Sequence, residues 1–400
     1  MIKTKKGYSM SINNESDHSL MSIDAHVFEV EKAHLEKTRI ISLSIEQSLT
    51  KSEVILKVDK FALTANNISY GVAGDLLGYW RFFPTQEFST ADPMAVNPLT
   101  KNQWGRLPVM GYADVIASNS DQIKVGERVW GFMPMATHFK ILAGKIKTTG
   151  FSDISDYREG LAPLYAAFER VSTNPFYTPE NEDFEILVRG LFTTSWLVDD
   201  FMDDNQYFGA SQYLITSASS KTSIALAFAI KQRGKRTAIG ITSAANQQFV
   251  ESLGCYEQVI NYDEISSLNA DVPSVLVDMA GSKKTLTAIH NHFTELLCYS
   301  CKIGATHHND LPTDDFTKSS KLPGAKPTFF FAPTQLKKRT EDWGSNKTMK
   351  QIGVSLLAYI EFCRSIMTIE HTTDKNKLDA VYQRVLSGKA DASVGQVVSL

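Results

Sequence analysis

The chemistry-bearing residues of this 400-residue chain are densest in one short stretch. Between the apolar run Gln212-Tyr213-Leu214-Ile215-Thr216 and the helical pattern Ile224 to Gln232 lies Ser217-Ala218-Ser219-Ser220-Lys221-Thr222-Ser223. It holds serines, one threonine and one cation, and no glycine. A turn from the carboxyl end of a strand into a helix amino terminus presents free backbone N–H groups and the positive end of the helix dipole, both of which attract phosphate. Two readings stand side by side. In one, Ser217, Ser219, Ser220, Lys221 and Thr222 cradle an anion; in the other, a helix start is capped by its own Ser and Thr side chains and Lys221 is solvated. The end of the next strand reads Ile241-Thr242-Ser243-Ala244-Ala245-Asn246. Sites for NAD commonly place Asp or Glu there on the ribose hydroxyls. Its absence argues against NAD, and the small hydroxyls of Thr242 and Ser243 leave room for a 2′-phosphate, although no Arg or Lys stands nearby in sequence to pair with one.

The elements that must position these residues follow from periodicity. Strands at Gln212 to Thr216, Thr237 to Ile241, Gln258 to Ile260 and Ser274 to Asp278 alternate with helices at Ile224 to Gln232, Ala244 to Leu253 and Lys283 to His292. That alternation means right-handed crossovers and a parallel, doubly wound α/β sheet. Later strands are expected at Leu296 to Ile303 and Thr328 to Phe331, and a long helix at Lys347 to Ile366. Before this half, Glu53 to Leu63 and Gln122 to Phe132 alternate as strands of a β-rich domain. Gly71 to Gly105 is rich in Gly, Pro and aromatics and reads as a site wall. Tyr157 to Val171 and Phe184 to Asp204 carry helical spacing. Met1 to Leu20 reads as a frayed tail.

Composition removes several function classes. Four hundred residues exceed the roughly 250–300 that one core serves, so two domains are expected. Forty-one Lys and Arg against forty-four Asp and Glu supply no field for nucleic acid or anionic membrane. No run reaches the roughly 18 to 20 apolar residues of a membrane span, and no secretory signal is present, so the chain reads as cytoplasmic. The cysteines Cys255, Cys298, Cys301 and Cys363 are too scattered for a disulfide framework. Cys298-Tyr299-Ser300-Cys301 is a lone CxxC, read as buried thiols. Lys337-Lys338-Arg339 reads as a solvated basic face.

The ordered pieces Val125-Gly126-Glu127-Arg128-Val129-Trp130-Gly131, Leu214 to Ala229, Glu251-Ser252-Leu253-Gly254-Cys255 with Val259-Ile260-Asn261-Tyr262, Leu276-Val277-Asp278-Met279-Ala280-Gly281 and Gly388-Lys389-Ala390-Asp391 to Leu400 resemble the medium-chain dehydrogenases/reductases. The likeness is to the zinc-free quinone oxidoreductase and enoyl reductase branch. Phe61 to Ile68, Gly78-Tyr79-Trp80, Ser217 to Thr222, Tyr299-Ser300-Cys301 with Gly304-Ala305-Thr306-His307, and Phe329 to Pro333 are similar to a bacterial family beside that branch. The resemblance implies an α/β fold: a GroES-like β-rich catalytic domain plus a doubly wound parallel-sheet Rossmann-type domain. The first would comprise residues 21–179 and 362–400, the second residues 180–361. It implies NADP(H), a small-molecule substrate and a homodimer joined along Thr328 to Ala332. The reaction implied is reduction of an activated C=C or quinone by hydride transfer. The other possibility is a non-catalytic member of the fold acting as a partner subunit, with an anion site at the turn. Where the zinc alcohol dehydrogenases carry Gly-His-Glu, this chain has Gly111-Tyr112-Ala113, so a zinc site of that type is excluded.

The resemblance also implies residue roles. Asn66 falls where the family places an Asn near the nicotinamide ribose; the alternative is a turn Asn bonding its own backbone. Tyr79 falls in the loop that carries a Tyr donor to the substrate carbonyl; the alternative is packing among its aromatic neighbours. His307, with His308, follows a strand on the nicotinamide side and could be a proton source or a surface residue. Asn261 and Tyr262 join the hydroxyls of the first two turns as cofactor contacts.

Overall fold

The computed structural model describes residues 22–85, 103–279, 281–303 and 322–400. The expectations for Met1 to Leu20 and for His307 and His308 lie outside these residues. Strands β1 (Ser22–Glu31) and β2 (His34–Glu46) pair as an antiparallel hairpin. Strand β3 (Glu53–Leu63) runs into helix α1 (Ala65–Val72), and the short β4 (Trp104–Gly105) joins β1. Strands β5 (Pro108–Ser118), β6 (Arg128–Pro134), β7 (His138–Lys147), β8 (Gly150–Asp153) and β9 (Ala167–Arg170) follow. They pair in the order β3-β5-β6-β9-β8-β7, and β7 returns to β3, which closes a barrel. Closure satisfies the edge strands of the set. Val54, Leu56, Val58, Val109 and Phe168 are buried in or against it.

Two local expectations change here. Tyr157 to Val171 is not a helix: Asp156–Arg158 and Pro163–Ala166 are single 3-10 turns and Ala167–Arg170 is β9. Pro163 cannot continue a helix, and Phe168 and Arg170 alternate inward, which gives the segment a ladder between β6 and β8. The strand expected over Gln122 to Phe132 begins only at Arg128, because Glu127 folds back to accept from the Lys124 N–H at 2.8 Å.

Helix α2 (Glu182–Asp204) leaves the barrel with Glu182, Asp183 and Glu185 in its first turn, the sign that suits a helix amino terminus. It lies tight on β5: a Cβ at Gly190 would stand 2.4 Å from the Met110 sulfur. The parallel half comprises β10 (Gln212–Thr216), α3 (Lys221–Arg233), β11 (Thr237–Thr242), α4 (Gln247–Ser252), β12 (Gln258–Asn261), β13 (Ser274–Asp278), α5 (Lys283–Phe293), β14 (Leu297–Lys302) and β15 (Pro327–Phe329). Its strands stand in the order β12-β11-β10-β13-β14-β15, all parallel. This is the doubly wound dinucleotide order, with its switch point between β10 and β13. The expected α/β architecture of a β-rich domain with a Rossmann-type sheet is therefore the one observed.

Helices α6 (Ala332–Trp343) and α7 (Ser345–Ile366) follow the sheet. Here the basic run departs from expectation. Lys337 is exposed, but Arg339 is buried on Asp200 at 2.6 Å and Asp204 at 3.1 Å, and lies over Trp343. Asp200 and Asp204, at the end of α2, supply the partners that sequence neighbours did not reveal. Strand β16 (Thr368–Thr372), helix α8 (Leu378–Leu386) and strand β17 (Val394–Val398) then bring the chain back to the barrel, with Gln396 of β17 opposite Leu63 of β3. No described helix is long and apolar enough to cross a membrane.

Candidate functional site

At the switch point, the turn after β10 leads straight into α3, which begins at Lys221, three residues before the expected start. Ser217 adopts a left-handed φ of 47°, the conformation that a glycine would take without cost. The turn is held by hydroxyl groups instead. The Ser217 N–H donates to the Tyr262 hydroxyl at 3.2 Å, Tyr256 donates to the Ala218 carbonyl at 2.9 Å, and Asn246 donates to the Ser219 hydroxyl at 3.0 Å. Ser220 caps α3 by accepting from the Ser223 N–H at 3.2 Å, and Ser223 donates to the Thr216 carbonyl at 2.9 Å. The close approach that turn glycines usually permit is met one strand away. A Cβ at Gly240 would stand 3.1 Å from that of Ala218 and 2.9 Å from the Tyr256 ring.

Lys221 does not face an anion in the turn. Its ammonium donates to the carbonyls of Val394 at 2.9 Å and Ala392 at 3.4 Å, tying the start of α3 to the approach to β17. Desolvation pulls its pKa down to about 8, against the opposing pull of Cys363 and Asp391. The capping reading of the turn thus describes Ser220, and neither reading anticipated the direction of Lys221.

One cleft of 2140 Å³ runs from this turn to the barrel. On its nucleotide-type side it is lined by Ser217, Ser219, Ser220, Thr222, Thr242, Ser243, Asn246 and Tyr262. Asn261 sits beside them with its side chain accepting from the Asp263 N–H at 3.0 Å, a helix-capping contact. On the barrel side, α1 and the loop after it contribute Asn66, Tyr70, Tyr79 and Trp80, which meet Phe132 and Tyr165. Their rings form one wall: Tyr70 to Tyr79 is 4.6 Å, Tyr79 to Phe82 5.3 Å, Tyr79 to Tyr165 5.9 Å and Phe132 to Tyr165 5.3 Å between centroids.

The two neighbouring asparagines divide their work. Asn67 accepts from the Thr64 N–H at 2.7 Å and donates to the Pro108 carbonyl at 3.0 Å, the backbone role that was one alternative for Asn66. Asn66 instead lines the cleft and donates from Nδ2 to the Tyr70 hydroxyl at 2.7 Å. Tyr79 is buried in the ring cluster, edge-on to Tyr165. Sequence reasoning missed Tyr70 and Tyr165; the signal for Tyr70 was its place four residues after Asn66, on the same face of a helix.

The arrangement suits a nucleotide whose phosphates rest on the amide and hydroxyl groups at the start of α3, with Ser219, Thr242 and Asn246 at the ribose end of β11. The cation lining the cleft in that stretch is Lys221, whose ammonium is held by the Val394 and Ala392 carbonyls. Tyr112, at the position where zinc enzymes carry His, donates to Glu185 at 2.6 Å inside the protein. Among the described residues, no group of three or more His, Cys, Asp and Glu side chains is placed to hold a metal ion.

A family profile described as "Protein of unknown function (DUF2855)" matches residues 61–391. No curated protein matches the sequence. Among solved structures, the fold is similar to CurA from Vibrio vulnificus in complex with NADPH, with a TM-score of 0.58 at 12% identity over 94% of this chain and 98% of that one. A mutant enoyl thioester reductase from Candida tropicalis gives a TM-score of 0.52 at 14% identity over 94% of this chain and all of that one, 100%. The yhdH oxidoreductase from Salmonella enterica in complex with NADP gives 0.52 at 12% identity, covering 94% and 99%.

Proposed function

We propose that this chain, which belongs to the DUF2855 family, is an NADP(H)-dependent oxidoreductase that reduces an activated C=C or a quinone without zinc. The observation that carries the proposal is the shared cleft: the first turn of a β12-β11-β10-β13-β14-β15 sheet opens into the same space as Asn66 and the tyrosine wall. Similar folds crystallised with NADPH and NADP support the choice of cofactor, as does the lack of a carboxylate at the end of β11, where one would repel a 2′-phosphate.

When bound, the nicotinamide nucleotide supplies the hydride. The chain's own residues do the rest. Amide and hydroxyl groups from Ser217 to Thr222 orient the phosphates, and Thr242, Ser243 and Asn246 face the ribose. The wall of Tyr79, Trp80 and Phe132 excludes water from the reacting carbons, and a tyrosine hydroxyl of that wall gives a proton to the oxygen or carbon that gains electrons. Of the cations lining the cleft, Arg189 is held by Glu169 and Glu185 and Arg170 by Glu127, while Lys32 lies over Trp80.

Titration of the protein with NADPH, NADH and adenosine 2′,5′-bisphosphate, read by fluorescence or calorimetry, tests the reading. Saturable binding with NADPH favoured over NADH is expected, followed by NADPH oxidation with enones or quinones. No saturable binding of any of the three would overturn it. The glycine-free turn favours a second reading, a partner subunit that keeps the anion site without hydride transfer; binding of the bisphosphate alone, with no NADPH oxidation, would select it.

A further inference from the structure

We propose that Arg189 and Trp130 form a subsite for a carbonyl oxygen in the floor of the cleft, and that Glu169 and Glu185 are positioning residues that hold the guanidinium for it. The assignment rests on the reductase reading above and deepens it by naming what the acceptor presents there: an uncharged carbonyl group.

The subsite is built across three strands. Tyr112 of β5 and Glu169 of β9 stand directly opposite Trp130 of β6 on either side, so the three side chains form one row on one face of the barrel. Phe132, two residues further on, shares that face and belongs to the aromatic wall. Helix α2 lies over the row. Its Glu185 and Arg189 are four residues apart and face the same way, and the Arg189 guanidinium rests on the Trp130 ring at 3.9 Å from its centre. Arg189 donates to Glu169 from one arm and to Glu185 from the other at 3.2 Å, while Glu185 accepts from the Tyr112 hydroxyl at 2.6 Å. The guanidinium is thereby fixed in place and in plane.

Two donors remain. The Arg189 Nε–H has no acceptor among the described residues, and neither has the indole N–H of Trp130, which is 8% exposed. Both hydrogens lie in the plane of a rigid conjugated group, so their directions follow from the heavy atoms. A buried N–H without an acceptor costs free energy, and apolar packing is often at least as stabilising as a buried ion cluster. Stability alone accounts for neither feature, and both residues line the cleft. The guanidinium already carries two carboxylates, so it calls for an acceptor and not for a counter-ion. A carbonyl oxygen seated against the ring edge answers both donors.

Position joins the subsite to the chemistry. Ser195 on α2 donates to the Thr222 carbonyl in the first turn of α3 at 2.8 Å. Arg189 stands six residues earlier, about 9 Å back along the helix axis. It therefore lies between the nucleotide-type turn and the aromatic wall, and an acceptor with its oxygen there extends along Trp130 and Phe132. That oxygen gains charge as the conjugated carbon is reduced, which a fixed cation and a fixed N–H stabilise.

Two measurements on the full chain test the assignment. The first needs no hydride transfer: acetophenone, isotope-labelled at its carbonyl carbon, is bound with and without NADPH and its C=O stretch is read by infrared difference spectroscopy. Wild type should bind it saturably, with the stretch lowered from its value in hexane by the donated hydrogen bonds. Benzoate, of similar shape but charged, should bind more weakly. Trp130→Phe, which keeps an aromatic ring under Arg189 and removes the N–H, should weaken binding about threefold to tenfold and return the stretch part of the way. Arg189→Lys, which keeps a charge between the two carboxylates and removes the fixed Nε–H, should weaken it about tenfold or more and also raise the stretch. A merely structural role for either residue would alter stability and leave the bound frequency where it was. No saturable binding by wild type, tighter binding of benzoate, or one bound frequency in all three proteins overturns the assignment. The second measurement is turnover with an enone and NADPH, in which both variants should lower kcat/KM with an unchanged Kd for NADPH. Full kcat/KM in both would overturn the subsite and leave the reductase reading standing. Wild type that lowers the stretch through Arg189 and Trp130 but never oxidises NADPH would overturn the reductase reading and leave the carbonyl subsite.

Discussion

At the start of α3, the lysine that the sequence offers as a phosphate partner sits on two carbonyls of the chain's return strand instead. Its role can be checked by pH. In the unfolded chain a lysine titrates near its usual value of 10.5, while in the folded protein burial brings Lys221 to about 8. Below about 8 both states carry the proton, and the full cost of burying the charge is felt. Between there and 10.5 the unfolded state binds more protons, so stability rises with pH. Wild-type stability should therefore gain on that of Lys221→Met between about pH 8 and 10 in chemical denaturation, and a constant difference would contradict the burial of this charge. Asn66 was legible because a family pattern marks it. Tyr70 was not, because its meaning depends on an eight-residue helix holding two asparagines and a glycine, which propensity alone would not propose.

Elements were most legible where apolar runs are long and uninterrupted. The strands β10, β11 and β13 are buried on both faces and read directly from Val, Ile and Leu. The barrel was harder, since its strands are set by cross-strand partners distant in sequence: β9 was mistaken for a helix, and the β1–β2 hairpin has a half-exposed outer strand that lacks a clean pattern. Two packing features at this scale give measurable outcomes. Trp80 is clasped between glycines, with a Cβ at Gly74 falling 2.2 Å from its indole nitrogen and one at Gly105 falling 2.5 Å from the ring. Gly74→Ala should displace the indole into the cleft, shift its fluorescence and cost about 1–3 kcal/mol in denaturant unfolding. Arg128 joins the barrel to α2 through Glu182 at 2.7 Å, with Asp59 at 2.6 Å and Asp114 at 3.1 Å around it. Arg128→Met removes two charged hydrogen bonds from the nearly buried Glu182, leaving Lys60 and Tyr177 on it, and should cost about 1.5–3 kcal/mol. Against the desolvation that raises it, Arg128, Tyr177 and Lys60 hold the Glu182 pKa below its usual 4.5, so its contribution is present above that value and lost as pH falls. The deficit of the variant should accordingly shrink under acid conditions.

For the whole molecule, a net charge of -3 leaves any phosphate to be held by local dipoles and hydroxyls, so NADPH affinity should depend only weakly on salt. Association is expected along β15, the end strand of the parallel sheet, where Phe329 and Phe331 are 44% and 41% exposed. An apolar sheet end of that kind is a pairing surface, and light scattering at micromolar concentration should report a dimer; a monomer would contradict it. The return of the chain has a different consequence, one for the order of events during synthesis. Strand β17 is the neighbour of β3, made near the beginning, and it also carries the carbonyl that receives Lys221. While the ribosome is still working through α7 and α8, the parallel sheet already has all its strands, yet the Phe61 to Leu63 end of β3 waits with one flank open and Lys221 lacks its acceptor. The cleft is therefore assembled last, in a single late step. Nascent chains stalled before Val394 should be more readily cut by protease near β3 than chains in which β17 has been made and has emerged.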